Sequence, residues 1–319
     1  MVELTEVTKY YGPKRAVGPV SFEIEQGDTV GILGLNGVGK TTLLRILACG
    51  LRPSSGSVSI DGHDVLANPH EVRKRVGYLP EVPPVYGDMT VRDYLDFAGR
   101  LKGMTAETVA KRMPVVEETT RIAEVRDIPT RHLSQGYRQR VGVAQAIIHE
   151  PDLLILDEPT HDLDPVQIVE MRAMIRNLKD DHTILISSHI LPEISQTCDR
   201  LLILDDGRIV ASGSEAELEE RLFLSRRIRV TVRPGAAGVA DARSRIARVP
   251  GVKLVEWAGA ATGITGEPDS ATFRVEGEAD VRAEVCRTLV ESGHDVITLT
   301  RAERQLERVF VGLVAGGAN

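Results

Sequence analysis

An apolar run, Thr29–Leu33 (TVGIL), opens directly into Gly34-Leu35-Asn36-Gly37-Val38-Gly39-Lys40-Thr41, and a helical pattern follows over residues 41–48. No other stretch limits the fold so tightly. A strand that becomes a helix within a few residues needs glycine where the backbone turns or comes close to something else. The string satisfies G-x-x-x-x-G-K-[ST], whose backbone N–H groups close around the phosphates of a nucleotide while the following helix adds its positive N-terminal end. Lys40 would neutralise phosphate charge. The Thr41 hydroxyl would complete a Mg²⁺ shell, with Thr42 beside it in the first helical turn.

A second apolar run, residues 153–156 (LLIL), ends in Asp157 and Glu158. Asp157 would hold Mg²⁺ through water, and Glu158 would polarise an attacking water as general base. An acidic strand end by itself is more often a solvated turn; behind a phosphate loop it is a candidate for metal and proton chemistry. Leu133-Ser134-Gln135-Gly136 begins a third pattern, with Ser134 as helix N-cap and Gly136 permitting close approach. Such a loop can offer N–H groups and a hydroxyl to a phosphate, and it can equally be an ordinary capped helix.

The chain has 319 residues, more than one hydrophobic core usually serves, so two domains are expected. Its net charge of -7 argues against charge-driven nucleic-acid binding. Three scattered cysteines, Cys49, Cys198 and Cys286, match no metal spacing and suit a reducing compartment. The first residues lack the apolar core of a signal peptide, and no run reaches the ~18 apolar residues of a membrane span. Contact with a membrane would therefore go through a partner.

Residues 1–220 alternate β-rich runs with helical patterns, and residues 88–150 read as a helical insert. A charged helix over 215–227 reads as a linker. Beyond it come a strand at 229–232, a helix at 240–248, strands at 252–257 and 271–275, a helix at 280–292 and a strand at 296–300. That β-α-β-β-α-β order predicts a ferredoxin-like arrangement. The Gly/Ala/Thr-rich stretch 258–270 reads as a hairpin loop.

Taken together, the three motifs resemble the ABC ATPases over residues 1–220, with LSQGYRQR similar to their signature motif. Tyr11, just before Gly12, matches the aromatic residue that stacks on adenine. Leu163-Asp164-Pro165 matches the D-loop, and His189 matches the switch histidine that touches the γ-phosphate. The resemblance implies an α/β fold of the P-loop, ABC type: a RecA-like core with an antiparallel β part and the helical insert. To this the sequence adds the small C-terminal α+β ferredoxin-like domain, residues 221–319. It implies a head-to-tail dimer in which residues 34–42 of one copy and Ser134, Gln135 and Gly136 of another enclose MgATP, with Asp164 near the junction. The second copy is the same chain or a related subunit.

Three positions depart from the family pattern. Glu81 (in GYLPE) stands where most relatives place a glutamine; it can still ligate Mg²⁺ but adds charge beside the triphosphate. His161-Asp162 alters the T-x-G-L-D-P turn, where the loss of glycine puts a positive-φ conformation in question. Tyr137-Arg138 varies the signature. The runs around residues 78–95 and 136–151, with LDPVQIVEMR, resemble ATPases of ABC-2 type exporters. The LE-x-x-F pattern within residues 299–313 is similar to gliding-motility-associated ATPases. The expected partner is an ABC-2 type transmembrane permease docking near residues 83–95, which would place the protein in the cytoplasm at the inner face of the plasma membrane. The alternative is a soluble, non-transport ABC ATPase tied to regulation, ribosomes or nucleic acid.

Overall fold

The computed structural model describes residues 1–221, 227–260, 270–278 and 280–301. The chain divides into two compact units, Met1–Glu215 and Ala216–Asn319.

The first unit begins with β1 (Val2–Tyr11), β2 (Lys14–Ile24) and β3 (Thr29–Leu33), followed by α1 (Lys40–Leu47), β4 (Ser55–Ile60) and β5 (His63–Asp64). Next come α2 (Pro69–Arg75), β6 (Val76–Leu79) and the helices of the insert, α3 (Val91–Leu101), α4 (Ala106–Thr119) and α5 (Gln135–Ile147). It continues through β7 (Leu153–Asp157), α6 (Pro165–Asn177), β8 (Thr183–Ser188), α7 (Leu191–Ser195), β9 (Arg200–Asp205) and β10 (Arg208–Gly213). Helix α8 (Glu215–Arg221) crosses the division between the units.

Two sheets result. One is antiparallel, β2-β1-β4-β5, and the other runs β10-β9-β3-β8-β7-β6 with only β10 antiparallel to its neighbour. Every residue of β3, β7 and β8 is buried, as parallel strands covered on both faces require. Their alternation builds two cores. Leu153, Ile155 and Leu185 pack with Val30, Ile32 and the α1 leucines under the antiparallel sheet. Leu154, Leu156, Ile184 and Ile186 face the insert, where Tyr94, Leu95, Val116, Val141 and Ile147 meet them. One sheet thus fixes the phosphate loop on one side and the signature helix on the other.

The second unit contains β11 (Arg227–Arg233), α9 (Gly238–Ala247), β12 (Val252–Ala260), β13 (Ala271–Gly277), α10 (Arg282–Glu291) and β14 (Asp295–Arg301). Its antiparallel sheet has the order β12-β13-β11-β14, the ferredoxin-like topology expected from the sequence. Of the charged helix expected over 215–227, residues 215–221 form α8. Arg227 already belongs to β11, because the β-branched alternation of Ile228, Val230 and Val232 buries one face of a strand. The loop expected at 258–270 and the helix expected within 299–313 fall mostly outside the described residues.

Helix α6 starts at an Asp-Pro pair. Asp164 accepts hydrogen bonds from the Val166 and Gln167 N–H groups, both at 2.9 Å, and Pro165 occupies a first-turn position. Asp164→Ala is expected to destabilise the first unit by about 1 kcal/mol, and Asp164→Asn by much less. A denaturant midpoint followed by circular dichroism, with amide exchange at the start of α6, checks this.

Candidate nucleotide site

The chemistry-bearing loops leave the C-terminal ends of three adjacent parallel strands. Residues 34–39 follow β3, Glu158 follows β7, and His189 follows β8, which lies between them. In open α/β sheets that edge is where ligands bind.

The glycines of the loop are required by geometry. Gly37 has φ +84° and Gly39 φ +109°, and a Cβ at Gly39 would sit 2.3 Å from the Ala16 carbonyl oxygen. Lys40 opens α1 and is buried. Its ammonium donates to the carbonyls of Gly34 (2.7 Å) and Leu35 (3.3 Å) and lies 3.1 Å from Glu158 Oε1. Glu158, itself at φ +49°, meets His189 Nδ1 through Oε2 at 2.9 Å. Lys40, Glu158 and His189 therefore form one chain of contacts.

Asp157 is fully buried. Ser187 Oγ donates to its Oδ1 at 2.6 Å and accepts the Glu158 N–H at 3.0 Å. Burial raises the Asp157 pKa, opposed by the Ser187 and Thr41 hydroxyls. Asp157 Oδ2 has no hydrogen-bond partner. A buried, half-satisfied carboxylate beside the Thr41 hydroxyl fits a hydrated divalent cation, which would offset the charge that burial penalises.

Two concavities hold most of the residues singled out in the sequence. The first, of about 470 Å³, is lined by Tyr11, Leu35, Asn36, Gly37, Gly39, Lys40, Thr41, Thr42, Glu81 and Glu158. Gly34 and Val38 brace its loop from behind, with a Cβ at Gly34 falling 2.7 Å from Val38 Cγ2. The second, of about 540 Å³, is lined by Ser134, Gly136, Tyr137, Arg140, Gln167 and several acidic groups. Ser134 caps α5, accepting the Tyr137 N–H at 3.4 Å, and a Cβ on Gly136 would press on the Gln167 amide at 2.8 Å. Gln135 and Asp164 line neither concavity, and no residue lines both.

The altered D-loop keeps its positive-φ conformation. Asp162 adopts φ +59° in place of glycine, so the conformation questioned from the sequence is present. Asp is among the residue types that enter the left-handed region most readily.

Sequence reasoning passed over four residues. Lys14 and Ala16 also line the first concavity, and Lys14 is the cross-strand partner of Tyr11, a pairing visible only once the β1–β2 register is known. Ser187 ties the Asp157 carboxylate to the Glu158 main chain. Gln139, buried on the signature helix, donates to the Glu81 carbonyl at 3.2 Å.

The sequence profile of the ABC transporter family matches residues 17–161. The bacitracin transport ATP-binding protein BcrA of Bacillus licheniformis is 32% identical, over 99% of this chain and 98% of its own. This chain belongs to the ABC transporter ATP-binding proteins. A second member, NatA of Bacillus subtilis, is 37% identical over 72% of this chain and 99% of its own. Among solved structures, an ATP-binding subunit of an ABC transporter superposes with a TM-score of 0.64 at 29% identity, covering 69% of this chain and 92% of that one. As a member of this family, the chain binds and hydrolyses ATP.

Two outcomes follow from the geometry. Lys14→Ala should raise KM for ATP roughly fivefold with kcat unchanged, and Lys14→Arg should restore it, in steady-state assays. Asp157→Asn should raise Tm in metal-free buffer while abolishing turnover. A raised carboxyl pKa in the fold costs stability above that raised value and costs nothing below the ordinary 3.8. The gain should therefore be full only above the raised value and vanish as pH falls below the ordinary one.

Proposed function

We propose that this ATPase drives an ABC-2 type exporter, working as a head-to-tail dimer beneath a separate transmembrane permease at the inner face of the plasma membrane. The observation that carries the reading is the separation of two half-sites. The phosphate loop and the signature loop line different concavities, so a nucleotide held by one needs the other from a second copy. No described helix is long and apolar enough to cross a membrane; in this reading the separate permease forms the passage. Full-length similarity to a protein named for bacitracin transport favours transport over a soluble, non-transport role.

In this reading Tyr11 stacks on adenine, and the backbone of residues 34–42 with Lys40 holds the triphosphate. Ser134, Gln135 and Gly136 of the second copy close over the γ-phosphate, and Asp164 sets the D-loop between the two sites. Thr41, Asp157 through water, and Glu81 would hold Mg²⁺, which neutralises charge on the phosphate oxygens. Lys40 cannot serve Glu158 and a phosphate equally. When it turns to the nucleotide, Glu158 is released to take the proton of the attacking water, and His189 holds that carboxylate in place. The likeness to gliding-motility ATPases rests on the tail pattern and is the finer part of the branch assignment.

Glu158→Gln should cut kcat by 100-fold or more while ATP still produces a dimer in light scattering. The same variant, tagged and purified with ATP from detergent-solubilised membranes, should bring down a polytopic membrane protein in near-equal amount. Recovery with ribosomes or nucleic-acid enzymes alone would instead support the non-transport alternative.

A further inference from the structure

The C-terminal sheet carries both its helices on one face. Ile228, Val230 and Val232 of β11 and Ala271, Phe273 and Val275 of β13 pack into that core, which sends the alternate residues to the opposite face. There the register sets Arg229 directly opposite Arg274. Like charges so placed destabilise an antiparallel pair, and their Cβ atoms stand about 5 Å apart. Among the described residues neither guanidinium has a hydrogen-bond or ionic partner, and Arg229 Nε is buried without one.

The acidic neighbours leave the pair uncompensated. Glu256 faces Arg274 in register from β12 but is exposed and forms no ion pair with it. Glu276, two residues along β13, is engaged with another group. One row further along, Thr231 and Thr272 lie opposite each other with their hydroxyls 3.0 Å apart, and Thr298 of β14 pairs with Thr231. Two free guanidinium forks above a row of hydroxyls match an anion that presents several acceptor oxygens.

We propose that the face of the C-terminal sheet opposite its two helices binds a small oxyanion, a phosphate or a carboxylate, between Arg229 and Arg274. Such a ligand turns a repulsive cross-strand pair into a bridged one, and it gives the accessory domain a ligand independent of the nucleotide site.

The test uses the full chain carrying Lys40→Ala, which weakens phosphate binding at the nucleotide loop. It is titrated by calorimetry with inorganic phosphate and, separately, with citrate. One-site binding of either anion is expected, weakened tenfold or more by Arg274→Gln and largely kept by Arg274→Lys. Phosphate alone binding marks a phosphate-bearing ligand, and citrate alone a carboxylate. In low-salt buffer without either anion, Arg274→Gln should melt higher than its parent, because the repulsion is gone. Should that variant not fold, Arg229→Gln takes its place. Failure of both anions to bind, or binding untouched by these substitutions, overturns the proposal.

Discussion

Lys40 and Glu158 face each other at 3.1 Å with side chains only 5% and 6% exposed. Removing two such charges from water costs more than their attraction alone returns, unless neighbours satisfy the remaining protons and lone pairs. Here the neighbours do so unevenly. Two loop carbonyls accept hydrogen bonds from Lys40 and His189 holds one oxygen of Glu158, while Asp157 beside them keeps an unsatisfied oxygen. The arrangement is stable enough to fold and incomplete enough to favour a polyanion with its cation. A triphosphate offers Lys40 a stronger partner, and a hydrated metal satisfies Asp157. In the proposed mechanism, ligand affinity and the release of Glu158 as general base are thereby parts of one exchange.

The backbone shares this strain. Glu158 at φ +49° is a bulky residue in a region most side chains avoid, fixed by its N–H bond to Ser187. Ser187 thus holds the Asp157 carboxylate and the Glu158 main chain from the neighbouring strand. Parallel pairing of β7 with β8, register Asp157 to Ser187, makes that contact possible.

This explains what was legible beforehand. The glycine loop, the acid-ended strand, the capped signature helix and the C-terminal β-α-β-β-α-β order all follow from local chemistry: left-handed glycines, apolar runs and period-two alternation. Ser187, Lys14 and Gln139 owe their places to partners 30, 3 and 58 residues away, respectively Asp157, Tyr11 and Glu81. For Ser187 and Gln139 nothing nearby in the chain marks the pairing. Lys14 is close to Tyr11, but without the hairpin register its face is undetermined. The charged helix expected over 215–227 is present as Glu215–Arg221, and at its far end Arg227 joins the strand whose buried face is Ile228, Val230 and Val232.

The departures from the family pattern also look different once folded. Read along the chain, Glu81 and His161 are two unrelated substitutions 80 residues apart. In space His161 Nε2 lies 3.7 Å from Glu81 Oε1 and 3.4 Å from Asp162 Oδ2. The carboxylate that the proposed function places beside the triphosphate thus has an imidazole close by, on the loop where Asp162 preserves the turn. The Glu81 main chain is in turn held by Gln139 of the signature helix. The segment proposed to face the permease, the turn proposed to face a second copy and the helix that carries the signature are joined through one residue. A change at Glu81 therefore acts on all three together, and its effect on turnover cannot be separated from its effect on coupling without altering His161 as well.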